Sequence, residues 1–197
     1  MPLPFNPALK DLPVYQPGRP IEEVARELGI PAGDIIKLAS NENPLGPSPA
    51  ALKAMQHVLA NINLYPDGNA FYLKQKLAAK LGVTTANIIL GNGSNEIIEF
   101  VGHALMEPGV DVVVSEYCFA IYPLVAKIFS SNVITVPAKN HGHDLPAMLK
   151  AITPRTRVVF VANPNNPTGT VISKAELIQF ADLVPANVLL VVDEAYI

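Results

Sequence analysis

The chain has 197 residues, of which 50% are hydrophobic and 16% charged, with a formal net charge of -3 and a mean hydropathy of +0.29. That balance excludes an intrinsically disordered chain, and the small acidic excess offers no electrostatic footing for nucleic acid or an anionic membrane. Its single cysteine, Cys118, excludes an internal disulfide framework, and no stretch approaches the ~20 consecutive apolar residues of a membrane helix, so a cytoplasmic protein is expected.

Residues 1–36 are rich in proline and carry one short helical pattern, from Pro20 to Leu28, with Glu22 and Glu23 at the positive end of its dipole. This segment has too little apolar surface to fold alone and is expected to lie as an arm on another domain or subunit. The run Lys37 to Pro47 is extended, because Pro44 and Pro47 bar helix. Helices are expected at about 48–60, with Ser48 as cap, and at about 70–81. From residue 87 onward strand and helix alternate. Strands are expected over Asn87–Leu90, Asp111–Val114, Val133–Val136, Arg157–Ala162 and Val188–Asp193, and helices at about 94–106, 118–130, 144–151 and 173–183. Short apolar strands alternating with helices predict an α/β fold, with a mostly parallel sheet covered by helices on both faces.

Such sheets bind ligands at the carboxyl ends of their strands, and three polar motifs fall there. The first, Gly91-Asn92-Gly93-Ser94-Asn95-Glu96, follows a strand and opens a helix. Its glycines let the backbone approach an anion, and first-turn N–H groups can bind one. It reads equally well as a tight turn with Ser94 as N-cap. It is neither a dinucleotide fingerprint nor a P-loop, because Glu96 replaces the third glycine and no Gly-Lys-Ser/Thr ending follows. The second motif, Asn163 to Gly169, is built from turn residues, with Asn166 held extended by Pro167. The third is Asp193, a carboxylate ending an apolar strand and costly to bury without a cationic partner. Beside a protonated ring nitrogen it would raise that nitrogen's pKa by ~1–3 units, roughly 1.4–4 kcal/mol in favour of the charged ring. The alternative for Asp193 is a helix cap or surface turn.

Six motifs stand in one order: Tyr15-Gln16-Pro17-Gly18, Ala39 to Gly46, Tyr65-Pro66-Asp67-Gly68, Gly91 to Ser94, Asn165 to Gly169, and Asp193 to Tyr196. In this the chain resembles the first half of the fold-type-I, class II aminotransferases, most closely the histidinol-phosphate aminotransferase group, from residue 15 to the last residue. The resemblance implies pyridoxal 5'-phosphate as cofactor and a large domain, begun by residues 37–197, with residues 1–36 contributing to a small domain. It implies that Gly93, Ser94 and Asn95 hold the cofactor phosphate and that Phe119 stacks on the pyridine, with Tyr122 the rival for that place. By the same resemblance Asn166 and Tyr196 meet the ring's 3-oxygen, and Asp193 pairs with its nitrogen. Tyr65 would reach the cofactor of a neighbouring subunit, which implies a homodimer, while Tyr15 and Asn41 would line the substrate pocket. A cis Asn166–Pro167 bond is implied as well.

The activity so implied is exchange of an amino group between histidinol phosphate and 2-oxoglutarate. Threonine-phosphate decarboxylases and aromatic aminotransferases share the quoted motifs, and a non-catalytic remnant that keeps only the phosphate cup is a third reading. The family's Schiff-base lysine should follow the Asp-Glu-Ala-Tyr strand in a Ser-x-Ser-Lys loop, and none of the ten lysines stands in that context. Ser173-Lys174 reads as a helix start. The chain is therefore expected to be a truncated large domain, inactive alone, with no catalytic residue to assign. Arg155 and Arg157 read as surface charges, Cys118 as a small buried apolar residue, and His141-Gly142-His143-Asp144 as a solvated loop that holds no metal.

Overall fold

The computed structural model describes residues 7–10 and 12–197; of the expected arm, residues 1–6 and 11 lie outside this description. Two compact units are formed. One comprises Tyr15–Ile88, and the other Ile89–Ile197 with the described residues up to Val14.

In the Tyr15–Ile88 unit the helices are α1 (Ile21–Leu28), α2 (Pro49–Val58) and α3 (Phe71–Leu81). Arg19 binds the carboxylates of Glu23 and Glu27 along the exposed face of α1. Pro49 opens α2, where a missing N–H costs nothing. A 3-10 turn, Leu59–Asn61, carries that helix on. Ala70 holds the N-cap position of α3, and the Asp67 carboxylate just upstream accepts the N–H groups of Asn69 and Phe71 at 2.9 and 2.8 Å. Those two bonds, Phe71 first, hold the Asp67 carboxyl below the ordinary range. Part of the Tyr65–Gly68 motif thus braces the start of a helix.

In the second unit the helices are α4 (Gly93–Leu105), α5 (Ile121–Ile128), α6 (Leu145–Lys150) and α7 (Lys174–Leu183). Its strands are β1 (Asp111–Ser115), β2 (Asn132–Val136), β3 (Thr156–Ala162) and β4 (Leu189–Asp193). They form one parallel sheet in the order β2-β1-β3-β4, with Val159 opposite Leu190 and Ala162 opposite Asp193. The central strands are valine runs because both their faces are covered. Val112, Val114 and Phe160 face α4 and α5, while Val113, Val159 and Val161 pack with Met148 of α6 and Phe180 of α7. Each fully buried side chain of this size contributes roughly 1.5–3 kcal/mol, so the two apolar layers dominate the stability of this unit.

The expected strand over Asn87–Leu90 does not form. Thr85–Asn87 is a 3-10 turn, and Ile88, though extended, belongs to no strand pair among the described residues. An apolar run supplies β propensity, but a strand also needs a neighbour's ladder. The helix expected from 118 begins only at Ile121, after a turn in which Tyr122 N–H meets the Phe119 carbonyl at 3.1 Å.

At the amino ends of the strands Asp111 is wholly buried. Its carboxylate accepts from the Thr153 hydroxyl at 2.5 Å and Asn132 Nδ2 at 2.9 Å, and Arg155 Nη2 lies 3.2 Å away. Arg155 is exposed, as expected of a surface charge, and pairs with this buried carboxylate. The Thr153 bond, with help from Asn132 and Arg155, outweighs desolvation and lowers the Asp111 pKa. Arg157 instead binds backbone carbonyls of Pro154 and Thr156.

Candidate functional site

At the opposite, carboxyl edge of the sheet, side chains from four segments meet in one recess. It is lined by Ser94, Phe119, Tyr122, Ala162, Pro164, Asn166, Asp193, Ala195 and Tyr196. Five of the ten residues singled out from sequence, namely Ser94, Phe119, Asn166, Asp193 and Tyr196, are brought together here.

The first wall is the start of α4. Gly93 has φ of +71°, a left-handed turn that an L side chain would strain, and its N–H closes onto the Gly91 carbonyl at 3.0 Å. That turn sets Ser94 and Asn95 in the first helical turn, where N–H groups lack intrahelical acceptors and favour an anion. Asn92, not Ser94, holds the N-cap position, without a side-chain bond to the helix's N–H groups. Glu96 reaches back, its carboxylate accepting Asn92 N–H at 2.6 Å and Asn92 Nδ2 at 3.1 Å. Sequence reading saw in Glu96 only a missing glycine, although a carboxylate one turn into a helix is a known partner for its first N–H groups.

The second wall is the loop after β3. Both Asn163–Pro164 and Asn166–Pro167 are cis, the second as expected and the first unforeseen. Asn163 clamps the loop ends, accepting Ile172 N–H at 2.8 Å and donating to the Ile172 carbonyl at 3.1 Å. Asn165, 3% exposed, donates to the Tyr117 carbonyl and the Thr168 hydroxyl, each at 2.8 Å. With these two amides committed to structure, Asn166 is the amide left in the recess, where its Nδ2 faces the Tyr196 hydroxyl at 3.4 Å.

The third wall is the end of β4. Asp193 is partly buried and held at both oxygens: Oδ1 accepts Ala195 N–H at 3.1 Å, and Oδ2 accepts the Tyr122 hydroxyl at 2.8 Å. Tyr122 is wholly buried and lies flat on Phe160, with centroids 4.5 Å apart and planes at 6°. Its ring therefore has no face to offer a ligand, which leaves Phe119, set edge-on to it at 5.7 Å, as the aromatic surface of the recess. Burial, then the Asp193 bond, pushes the Tyr122 hydroxyl well above the tyrosine range, so it remains a donor.

Of the other expected residues, Gly93 and Asn95 flank Ser94 at the start of α4, while Tyr15, Asn41 and Tyr65 lie in the Tyr15–Ile88 unit. A Cβ on Gly18 would meet Ser40 Oγ at 2.5 Å, so the Tyr15–Gly18 motif lies directly against the Ser40–Asn41 turn, whose residues have φ of +71° and +50°. The stretches holding Tyr15 and Asn41 are thus neighbours within their unit. Tyr65 projects fully into solvent, 101% exposed.

No lysine lines the recess. Lys174 follows Ser173, whose hydroxyl and Glu176 form a capping box at the start of α7. Burial raises the Cys118 thiol to about 11, as suits a small core residue. His143 Nε2 meets the Ala162 carbonyl at 3.0 Å, and Asp144 caps α6 through Ala147 N–H. No helix among the described residues is long and apolar enough to cross a membrane.

A helix start, an aromatic side chain, a fixed carboxylate and two polar side chains thus meet at the carboxyl edge of a parallel sheet, where such sheets take ligands. Residues 33–197 match the family model described as aminotransferase class I and II, and the chain belongs to that family. It is 56% identical over 192 residues to histidinol-phosphate aminotransferase 2 of Pseudomonas fluorescens, covering 98% of this chain and 52% of that protein. It is 53% identical over 189 residues to histidinol-phosphate aminotransferase of Moorella thermoacetica, covering 96% and 48%. Its fold matches the crystal structure of histidinol-phosphate aminotransferase from Sinorhizobium meliloti in complex with pyridoxal-5'-phosphate, with TM-score 0.84, 30% identity and coverage of 98% and 51%. The chain spans about half the length of the relatives it matches.

Proposed function

We propose that these residues form the cofactor-holding half of a pyridoxal-phosphate-dependent histidinol-phosphate aminotransferase, which moves an amino group between histidinol phosphate and 2-oxoglutarate. One observation carries the cofactor reading: Ser94, Phe119, Asn166, Asp193 and Tyr196 converge on a single recess. When bound, pyridoxal phosphate supplies an electron sink for the carbon bearing the substrate's amino group. The turn of Gly93, Ser94 and Asn95 holds its phosphate, with the N–H groups of Ser94 and Asn95 as donors, and Phe119 supports the ring face. Asp193, fixed at both oxygens, holds a proton on the ring nitrogen, while Asn166 and Tyr196 donate to the 3-oxygen.

Substrate choice rests on the relatives' names and identities. The solvent-facing Tyr65 suits a contact with the phosphate held by a second copy, hence a homodimer, and Tyr15 and Asn41 suit the substrate side. Residues 37–197 are assigned to the large domain and residues 1–36 to an arm of the small domain, in a cytoplasmic enzyme. The chain's own lysines stand outside the recess, so residues 1–197 hold the cofactor without the lysine that moves the substrate proton. The test is competition of histidinol phosphate, phenylalanine and threonine phosphate for the protein that carries this chain together with that lysine, with 2-oxoglutarate as acceptor. Histidinol phosphate should be preferred by at least ~10-fold in kcat/KM, about 1.4 kcal/mol; preference for either competitor would refute the assignment.

A further inference from the structure

We propose that Tyr122 is a positioning residue for the Asp193 carboxylate, through which it strengthens the hold on a cofactor's ring nitrogen. The inference rests on the pyridoxal reading of the recess and names a residue that reading leaves without a role. Asp193 ends the edge strand of the sheet and is only partly buried, so its carboxylate would otherwise be free to rotate about its last torsion. The Ala195 N–H, 3.1 Å from Oδ1, is a contact within its own turn. Tyr122 supplies the tie from elsewhere in the fold, a hydroxyl 71 residues away that donates to Oδ2 at 2.8 Å. Bonds from a neutral hydroxyl to a carboxylate are among the stronger ones.

The tyrosine is itself immobile. It is wholly buried, stacked on the wholly buried Phe160 of a central strand, and edge-on to Phe119. Core packing is thereby transmitted through one rigid ring to the carboxylate. A tyrosine present only for packing could satisfy its hydroxyl on a backbone carbonyl. This one donates to Asp193, the only carboxylate lining the recess among the described residues.

The experiment compares the protein with its Tyr122→Phe variant for binding of two probes, pyridoxal phosphate and its analogue with C–H in place of the ring nitrogen. The unsubstituted protein should bind pyridoxal phosphate the more tightly. Tyr122→Phe should weaken pyridoxal phosphate about 10-fold, as expected for one bond to a charged group, and leave the analogue within about 2-fold. Equal loss of both probes would mean that Tyr122 only supports the fold, and no loss of either would mean that Asp193 needs no tie; each overturns the proposal. Equal binding of the two probes by the unsubstituted protein would instead overturn the pairing of Asp193 with the ring nitrogen, and the proposal with it. Should Tyr122→Phe not fold, the unsubstituted protein decides by ring-labelled tyrosine NMR. The resonance of Tyr122 should move with pyridoxal phosphate and not with the analogue, and identical shifts would overturn the proposal.

Discussion

Gly93 shows how much of the site hangs on one backbone torsion. Its φ of +71° makes the turn on which α4 begins, and a side chain there is costly. Gly93→Ala should lower stability by about 1 kcal/mol and weaken pyridoxal phosphate at least 10-fold, measured by denaturant melts and fluorescence titration. Unchanged affinity would remove the helix start from the phosphate's contacts. The Gly-Asn-Gly-Ser pattern was legible in sequence because the need for glycine is local. The partners of Asp193 were not, since Tyr122 lies 71 residues away and only the folded sheet brings the two together. The resemblance placed Phe119 on the pyridine, with Tyr122 its rival for that place. What sequence could not show is that Phe160 stacks on the Tyr122 ring.

Among the elements, the sheet is anchored at its amino edge by Asp111 and presents its chemistry at the other. The bonds from Thr153 and Asn132, with Arg155 nearby, lower the folded-state pKa of Asp111. A lowered carboxyl pKa contributes stability above the unfolded value of about 3.9. That contribution is lost as pH falls through the folded value. Asp111→Asn should therefore cost roughly 1.5–3 kcal/mol at neutral pH, and the gap to the unsubstituted protein should narrow below pH ~4 in urea melts. A gap that stays constant into acid would show the carboxylate charge to be irrelevant. Four of the five expected strands formed: β1 and β3 are buried on both faces, and the partly exposed β2 and β4 pair along them as the sheet's edges. Asn87–Leu90 is also apolar but has no ladder partner among the described residues. Periodicity reports what a segment could bury and not what lies beside it.

For the whole molecule, the parallel sheet and the family were legible because apolar strands alternate with helices, six motifs are ordered along the chain, and two of the polar ones stand at strand ends. What sequence could not show is geometric: that Asn163 and Asn165 are committed to bracing the loop, leaving Asn166 for the recess, and that Tyr65 stands wholly in solvent. The central claim is that these 197 residues contain the cofactor's contacts and not its lysine. Borohydride reduction of the chain saturated with pyridoxal phosphate, followed by peptide mass mapping, tests it most directly. The account predicts saturable binding that dialysis still reverses after reduction, with no single lysine labelled. A stoichiometric phosphopyridoxyl adduct on one lysine of this chain, or the absence of saturable binding, would contradict it.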